Sequence, residues 1–285
     1  MTHDRAAQPV IILRQPERSA RIADALRAAG LPVFALPLTD TELPADVAAV
    51  AAELGALGRG AYEWLVVTSG NAVRALGLVA ASGPTPLAAL VRSGGARVAA
   101  VGSTTARLLA DVDVEVHLVP REASSAGLLG EFPRGSGAVL VPQGDLAPGD
   151  LQAGLARRGW AVRRVEAYRT VPYPADTARR VPAIEEPGEQ PPLLSRRDLA
   201  ALAADAVHPA VVFTAPSTVR QFHERLGSGP LAFFPVAIGR TTAAALRAQG
   251  WDPGATAAEP TPQGIARAVG EAFSRAEPTY LHPHH

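Results

Sequence analysis

Short apolar runs alternate with amphipathic stretches along most of the chain, and this alternation occurs in two similar copies. The apolar run at 64–67 leads into "TSGNAV", and the run at 210–213 leads in the same way into "TAPSTV". The run beginning at Val98 leads into "GSTTARLL", and the run beginning at Val236 leads into "GRTTAAAL". Apolar runs of strand length that alternate with helical patterns are typical of βαβ units and a parallel sheet. The pattern therefore predicts two copies of one α/β arrangement.

A strand–helix–strand unit belongs to each copy, but its place in the order differs. It precedes the other units of its copy at 10–38 and follows those of the other copy at 139–168. The simplest arrangement nests one domain inside the other. Residues 1–38 together with 175–285 would form a discontinuous first α/β domain, and residues 40–170 an inserted second one. The chain would then cross between the domains twice, through proline-bearing extended stretches.

These patterns together predict the fold class. We expect an α/β protein of two similar lobes, each a five-stranded parallel sheet flanked by helices in a flavodoxin-like arrangement. A two-strand linker would join the lobes and leave a cleft between them. The proline-rich stretch 181–199 predicts a mobile insertion followed by a short helix. In "DVDVEVH" (111–117), alternation with valine favours an exposed strand face over a metal site.

Composition excludes several kinds of chemistry. The chain has 27 basic and 27 acidic residues and no cysteine, and all of its basic residues other than histidine are arginines. A neutral protein has no overall field that attracts nucleic acid or an anionic membrane. Schiff-base lysines, a P-loop lysine and thiolate nucleophiles are excluded, and no G-x-G-x-x-G follows a predicted strand. We therefore expect no nucleotide cofactor and no metal.

Targeting signals are also not evident from the sequence. The apolar run near the N-terminus is too short for a signal peptide, and nowhere do about 18 apolar residues follow one another. We therefore expect a cytoplasmic protein that has neither a membrane nor a nucleic acid as its partner.

Turns rich in hydroxyl groups and glycine follow the predicted strands in both copies. In open parallel sheets, ligands bind beyond the carboxyl ends of the strands, where helix N-termini present free N–H groups. Capping of the helix explains any one such turn by itself. Their recurrence in both copies favours a binding role, with an anionic ligand as the partner.

The motifs and their order resemble those of the uroporphyrinogen-III synthase family over roughly residues 10–270. The resemblance rests on "TSGNAV", "VGSTTA", "VPQGD", "VEAYRT", "TAPSTV", "IGRTTA" and "TPQGI". It implies a cofactor-free lyase of haem, sirohaem or cobalamin biosynthesis. Such an enzyme closes hydroxymethylbilane to uroporphyrinogen III with loss of water and inversion of ring D. The resemblance further implies a monomer that receives this small polycarboxylate from hydroxymethylbilane synthase in a transient hand-over.

Site residues follow from the resemblance motif by motif. The family's acid is a tyrosine in the strand that here reads "VEAYRT", which implies a catalytic role for Tyr168. The substrate-binding motifs fall on Arg14, Thr68, Ser69, Asn71, Ser103, Thr105, Gln143, Thr214, Ala215, Ser217, Thr241 and Thr242. The chain departs from the family pattern at Gln15, which is an additional residue. It departs again at Ala215, which replaces a hydroxyl and leaves only its backbone N–H to bind.

Two other classes of function stay open at this point. A two-lobed binding or sensory protein could hold a tetrapyrrole or another polycarboxylate without converting it, although a tyrosine at position 168 favours an enzyme. A dinucleotide-using α/β enzyme is disfavoured because the glycine fingerprint is missing.

Overall fold

The structure is a computed structural model of the chain. It describes residues 8–204, 207–226, 232–275 and 277–280. The described residues form two compact units: unit 1 comprises Met1–Thr39 with Ala183–His285, and unit 2 comprises Asp40–Pro182.

Strands and helices alternate in both units. In chain order the strands are β1 (Val10–Ile12), β2 (Val33–Ala35), β3 (Thr39–Glu42), β4 (Trp64–Val67), β5 (Arg97–Ala100), β6 (Ala138–Gly144), β7 (Ala161–Pro172), β8 (Ala210–Phe213), β9 (Ala232–Ala237), β10 (Ala255–Thr256) and β11 (Thr279–Tyr280). The α-helices are α1 (Ala20–Ala28), α2 (Val47–Gly58), α3 (Gly70–Ala81), α4 (Leu87–Gly94), α5 (Ser103–Ala110), α6 (Ser125–Glu131), α7 (Asp150–Arg157), α8 (Arg196–Ala204), α9 (Pro216–Leu226), α10 (Arg240–Ala248) and α11 (Pro262–Arg275). A short 3-10 helix, Pro16–Arg18, precedes α1.

The two sheets have matching strand orders. In unit 1 the order is β10-β9-β8-β1-β2 with parallel neighbours, and β11 pairs antiparallel with β9. In unit 2 it is β3-β7-β6-β4-β5, and β7, β6, β4 and β5 pair in parallel. The run β7-β6-β4-β5 repeats β2-β1-β8-β9 with its two chain segments exchanged. The predicted two-copy α/β fold with helices flanking mostly parallel sheets is confirmed.

The predicted strand at 111–117 is wrong. Helix α5 continues to Ala110, and the chain then turns through Asp113, whose φ of 57° lies in the left-handed region. The turn closes with a bond from the Val114 N–H to the Leu109 carbonyl at 2.9 Å. Only an isolated parallel bridge between Ala99 and Leu118 remains beside β5. The fifth strand of the unit 2 sheet is instead β3.

The segment after Pro182, predicted as a mobile insertion, is bonded along unit 1. The Glu186 N–H donates to the Glu17 carbonyl at 2.7 Å, and the Ala35 N–H donates to the Pro192 carbonyl at 2.9 Å. The boundary of unit 2 also differs from the expected 170–175. The Val181 N–H donates to the Thr41 carbonyl at 2.8 Å, which keeps this stretch beside β3.

Both faces of each sheet are covered by apolar clusters. In β1, Ile11 packs into the cluster on one face, whereas Val10 and Ile12 pack into the cluster on the other. In β4, Leu65 and Val67 alternate with Trp64 and Val66 in the same way. Side chains of a strand alternate between faces, and parallel sheets bury both. Because both faces are apolar, the strand ends are the places where polar groups can form a site.

Candidate functional site

Two hydroxyl-bearing turns of unit 2 lie side by side at the carboxyl ends of β4 and β5. Val67 is paired in register with Ala100, and the Val101 N–H donates to the Val67 carbonyl at 3.1 Å. Thr68 and Ser69 follow the first strand and Ser103 opens the helix after the second. Because the strands are parallel, the structure brings these predicted residues to one edge of the sheet.

Ser69 links the start of α3 to Tyr168. It is the N-cap of α3, and its Oγ accepts a hydrogen bond from the Ala72 N–H at 3.2 Å. The same Oγ lies 3.1 Å from the hydroxyl oxygen of Tyr168, and either atom could donate. A serine hydroxyl can accept two bonds and donate one, so both contacts can exist together. The predicted acid and one predicted binding residue are thus direct neighbours.

The Tyr168 ring lies against the backbone of Gly144. A Cβ added at Gly144 would be 2.7 Å from Cε2, 2.8 Å from Cζ and 3.0 Å from the hydroxyl oxygen of Tyr168. The register of β6 and β7 shifts between Gln143 and Gly144, so that Gly144 is opposite Tyr168. The Asp145 N–H also donates to the Tyr168 carbonyl at 3.1 Å. Sequence reasoning missed Gly144 as a site residue, although it lies within the quoted motif "VPQGD".

Two further predicted residues of unit 2 are bonded to side chains that the sequence did not single out. The Asn71 Nδ2 donates to the Thr41 Oγ1 at 3.2 Å, and Arg74 donates to the Asn71 Oδ1. The side-chain amide of Gln143, which is buried, is hydrogen-bonded to that of Gln152. The Arg74 contact was detectable from the sequence as an i,i+3 pair on a predicted helix.

The helices of the "GSTT" and "GRTT" turns begin without a capping side chain. Gly102 is the N-cap of α5 and Gly239 is the N-cap of α10, and neither helix has a side-chain bond at its cap. Thr105 and Thr242 are buried, with 7% and 1% of their surface exposed, whereas the predicted Ser103 and Thr241 are exposed. By contrast, Ser124 caps α6 by accepting from the Gly127 N–H at 2.9 Å. The starts of α5 and α10 therefore have cap N–H groups that no capping side chain occupies, and such groups can bind an anion.

Thr104 was missed although it is exposed at the position that corresponds to Thr241. The signal was the alignment of "GSTT" with "GRTT", which places these two threonines in the same column.

The turn after β8 differs from its counterpart in unit 2. Thr218 Oγ1 donates to the Ala215 carbonyl at 2.7 Å and accepts from the Ala215 N–H at 3.4 Å. The N–H predicted to bind substrate at Ala215 therefore faces a side chain of its own helix. Thr214 is half-buried at the end of the strand, and Ser217 is exposed.

Arg14 is the charged group at the carboxyl end of β1. Its guanidinium lies 4.0 Å from a carboxylate oxygen of Glu186 and is mostly buried. Burial, and to a smaller extent the nearby charge of Arg18, lower the pKa of Arg14, and Glu186 opposes this shift. An arginine stays charged under such shifts, so Arg14 is a partly desolvated cation at this edge of unit 1.

A second tyrosine of unit 2 lies at the opposite end of the sheet. Tyr62 precedes β4 and donates to a carboxylate oxygen of Glu53, whose other oxygen accepts from Arg163 Nε at 2.6 Å. Burial, together with the Glu53 carboxylate, raises the pKa of Tyr62 to about 12. Burial acts to raise the pKa of Glu53, but the bonds from Tyr62 and Arg163 outweigh it and leave that pKa lowered. This cluster lies before the start of β4, whereas Ser69 follows the end of that strand.

The described part of the chain contains no helix that is long and apolar enough to cross a membrane. Within the same residues, no group of three or more histidine, aspartate or glutamate side chains is placed to hold a metal ion.

A sequence model of the family described as "Uroporphyrinogen-III synthase HemD" matches residues 20–267. The chain belongs to the uroporphyrinogen-III synthase family. Among curated proteins, the chloroplastic uroporphyrinogen-III synthase of Oryza sativa subsp. japonica is 28% identical over 173 residues, which are 57% of this chain. The match spans about half of that relative's length, 53%.

Solved structures of the family have the same fold. A mutant uroporphyrinogen III synthase from the thermophilic bacterium Thermus thermophilus is similar with a TM-score of 0.61 and 20% identity, over 94% of this chain and 99% of that one. The uroporphyrinogen-III synthetase from Helicobacter pylori is similar with a TM-score of 0.54 and 18% identity, over 91% and 97%. At these identities the likeness concerns the fold.

Proposed function

We propose that this protein catalyses the closure of hydroxymethylbilane to uroporphyrinogen III, with loss of water and inversion of ring D. The match of the family's sequence model to residues 20–267 carries the proposal. The neighbouring hydroxyls of Ser69 and Tyr168 support it, because they place a proton donor at the carboxyl ends of the strands, where ligands bind in such sheets.

Tyr168 is the proposed acid. Its phenol gives a proton to the terminal hydroxyl of the bilane, and the carbon–oxygen bond breaks. Water departs, and an azafulvenium cation remains. Ring D attacks the cation through its substituted carbon, and the resulting spiro intermediate fragments and closes at the other position. The ring carbon that forms the last bond then loses its hydrogen, and this proton restores the phenol. A positioned acid of this kind contributes ~10²-fold to the rate.

The carboxylates of the substrate are the proposed partners of the polar turns. The chain has no net charge, so it must hold a polyanion through local groups. Unit 2 offers the uncapped start of α5 with Thr105, and unit 1 offers the uncapped start of α10 with Thr242 and the cation Arg14. Helix N-termini and buried donors stabilise anions without an overall positive charge. The monomeric state, the cytoplasmic location and the hand-over from hydroxymethylbilane synthase stay predictions.

The test of the function is the isomer ratio of the uroporphyrin formed from hydroxymethylbilane that the preceding deaminase generates in situ. Without a synthase the bilane closes chemically to isomer I. We expect predominantly isomer III when the protein is added. Only isomer I from folded protein would contradict the proposal and favour a protein that binds the polycarboxylate without converting it.

A further inference from the structure

The Tyr168 hydroxyl is in contact with a side chain of its own unit. Ser69 Oγ lies 3.1 Å from it and is itself held by the Ala72 N–H at the start of α3. A serine hydroxyl has a single proton to donate. If that proton is directed to Tyr168, it is not available to a carboxylate of the substrate. The role that the resemblance assigns to Ser69, contact with a carboxylate, therefore competes with the bond in the structure.

The ring of Tyr168 packs against Gly144, and a side chain at that position would occupy the space of the ring. A Cβ at Gly144 would be 2.7 Å from Cε2 and 2.8 Å from Cζ, closer than such carbon atoms approach in proteins. Arg164 Nη2 donates to the Gly144 carbonyl at 3.0 Å, and the Asp145 carboxylate accepts from the Thr170 N–H at 3.0 Å. These bonds hold Gly144 and Asp145 against β7 on both sides of Tyr168. The position of the phenol is thus set from two directions.

We propose that Ser69 and Gly144 are positioning residues for Tyr168, and that Ser69 acts through the phenol rather than on a substrate carboxylate. The inference rests on the proposed function and assigns these two residues within the same site. Ser69 donates to the phenol oxygen, which leaves the phenol proton free for the departing hydroxyl. When that proton has moved, the phenolate still accepts from Ser69, whose oxygen accepts from the positive end of α3.

A double-mutant cycle separates the two roles of Ser69. We expect Ser69→Ala to lower kcat about tenfold with little change in KM, since loss of a hydrogen bond to a developing charge costs this much. In the Tyr168→Phe background the same change should cost less than about twofold, because the group that Ser69 positions is absent. A tenfold rise in KM that persists in the Tyr168→Phe background would overturn the proposal in favour of carboxylate binding. Ser69→Thr keeps the hydroxyl and should restore most of kcat.

Ser124→Ala is the matched control for helix capping. Ser124 caps α6 with the same geometry, and its Oγ bonds to a carboxylate oxygen of Glu122 at 2.9 Å rather than to a tyrosine. Whatever Ser124→Ala does to the rate, its effect should be equal in the Tyr168 and Tyr168→Phe backgrounds. Coupling of Ser124 to Tyr168 as strong as that of Ser69 would show that the coupling reflects loss of a cap.

Gly144→Ala tests the packing of the Tyr168 ring against Gly144. The added Cβ must displace the phenol, so we expect kcat to fall between ~10-fold and ~100-fold while the protein stays folded, as small misplacements of catalytic groups do. Gly149→Ala is the control from the same loop, because the nearest atom to its Cβ would be Gln152 Oε1 at 3.9 Å. Equal effects of the two glycine variants on kcat would overturn the role of Gly144.

A spectroscopic readout tests the same contacts without relying on activity. In protein labelled with 13Cζ-tyrosine, the Tyr168 resonance is identified by its loss in Tyr168→Phe. We expect Ser69→Ala and Gly144→Ala to shift this resonance, and Ser124→Ala and Gly149→Ala to leave it in place. An unmoved resonance in Ser69→Ala overturns the inference even if the protein forms isomer III. A shifted resonance in a protein that forms only isomer I keeps the positioning contact and overturns the proposed function.

Discussion

The two units differ most in a pair of strands that occupy the same place in their sheets. β2 of unit 1 has three residues, whereas β7 of unit 2 has twelve. β2 lies at the end of the strand path of unit 1, but β7 has a further neighbour, β3. Because β7 is longer, Tyr168 lies opposite the end of β6, and its hydroxyl contacts Ser69 at the start of α3. The fold is repeated, and the proposed proton donor, Tyr168, is an addition to one copy.

The comparison shows that a repeated scaffold does not imply repeated chemistry. At the strand ends of unit 1 the distinctive group is Arg14, a cation, and at those of unit 2 it is the Ser69–Tyr168 pair, which is neutral. What the units share is the Gly-started helix with a buried threonine, Thr105 or Thr242. The proposed binding groups are thus common to both units, and the proposed catalytic group belongs to one.

The largest expected effect concerns Asp40 of β3, which is bonded to the segment that follows β7. The Asp40 side chain has no exposed surface, and it accepts from the Thr41 N–H at 2.8 Å, from the Ala175 N–H at 3.2 Å and from Arg180 Nε at 2.9 Å. We expect Asp40→Ala to lower the free energy of unfolding by about 3 kcal/mol, because buried donors lose a charged partner. Urea unfolding of the variant and of the unchanged protein measures this loss of free energy.

Asp176→Ala is the control for that change. Half of the Asp176 side chain is exposed, and it pairs with Arg179 three residues on. Its loss should cost less than about 1 kcal/mol. Equal costs for the two variants would show that Asp40 does not anchor the segment that follows β7.

Tyr168→Phe tests whether the extension of β7 carries the chemistry. We expect the rate of isomer III formation to fall ~100-fold without being abolished, because electrostatic stabilisation and folding of the substrate stay in place. Steady-state kinetics on hydroxymethylbilane measures the loss. A loss above about 10⁴-fold would exceed what a positioned acid supplies and would mean that the phenol has a larger role.

A matched pair of threonine variants tests the shared part of the comparison. Thr105→Val and Thr242→Val remove one buried hydroxyl from corresponding positions with little change of shape. If both hydroxyls bind carboxylates, each variant should raise KM between ~10-fold and ~100-fold, the value of one hydrogen bond to a charged group. Thr105→Ser and Thr242→Ser keep the hydroxyl and should keep KM. An effect in one unit only would show that the two turns are not equivalent.

The smallest expected effect distinguishes Tyr62 from Tyr168. Because the pKa of Tyr62 is raised to about 12, its stabilising contribution is complete below the pKa of the unfolded chain, about 10, and is lost as the pH rises towards 12. We expect a loss of about 1 kcal/mol in the free energy of unfolding, since Arg163 is exposed and solvent screens its charge.

Tyr62→Phe should remove that pH dependence and leave the rate of isomer III formation unchanged. Urea unfolding at about pH 9 and at about pH 11.5, on either side of the ordinary tyrosine pKa, gives the first result, and the isomer assay gives the second. A rate loss as large as that of Tyr168→Phe would contradict the structural role of Tyr62.

Much of the fold could be predicted because its signals are local. Apolar runs, glycine stops and hydroxyl turns specify strands and helices within a few residues, and their repetition revealed the exchanged order of the two copies. The error at 111–117 has the same origin. Alternation with valine is a local signal for a strand, but residues 111–114 form the turn that ends α5, so only the bridge at Leu118 lies beside β5.

The sequence by itself determined the two-copy α/β fold, the family and the residue types at the strand ends, because each depends on short-range patterns. Only the tertiary structure decided which of those residues meet. Ser69 and Tyr168 are 99 residues apart in the chain, and their contact depends on the register shift at Gly144 and on the length of β7. The pairing of Arg14 with Glu186 likewise required the segment after Pro182 to fold back along unit 1. Such contacts join residues that are distant in the chain, so they depend on how the strands align across the sheet and not on the pattern within one segment.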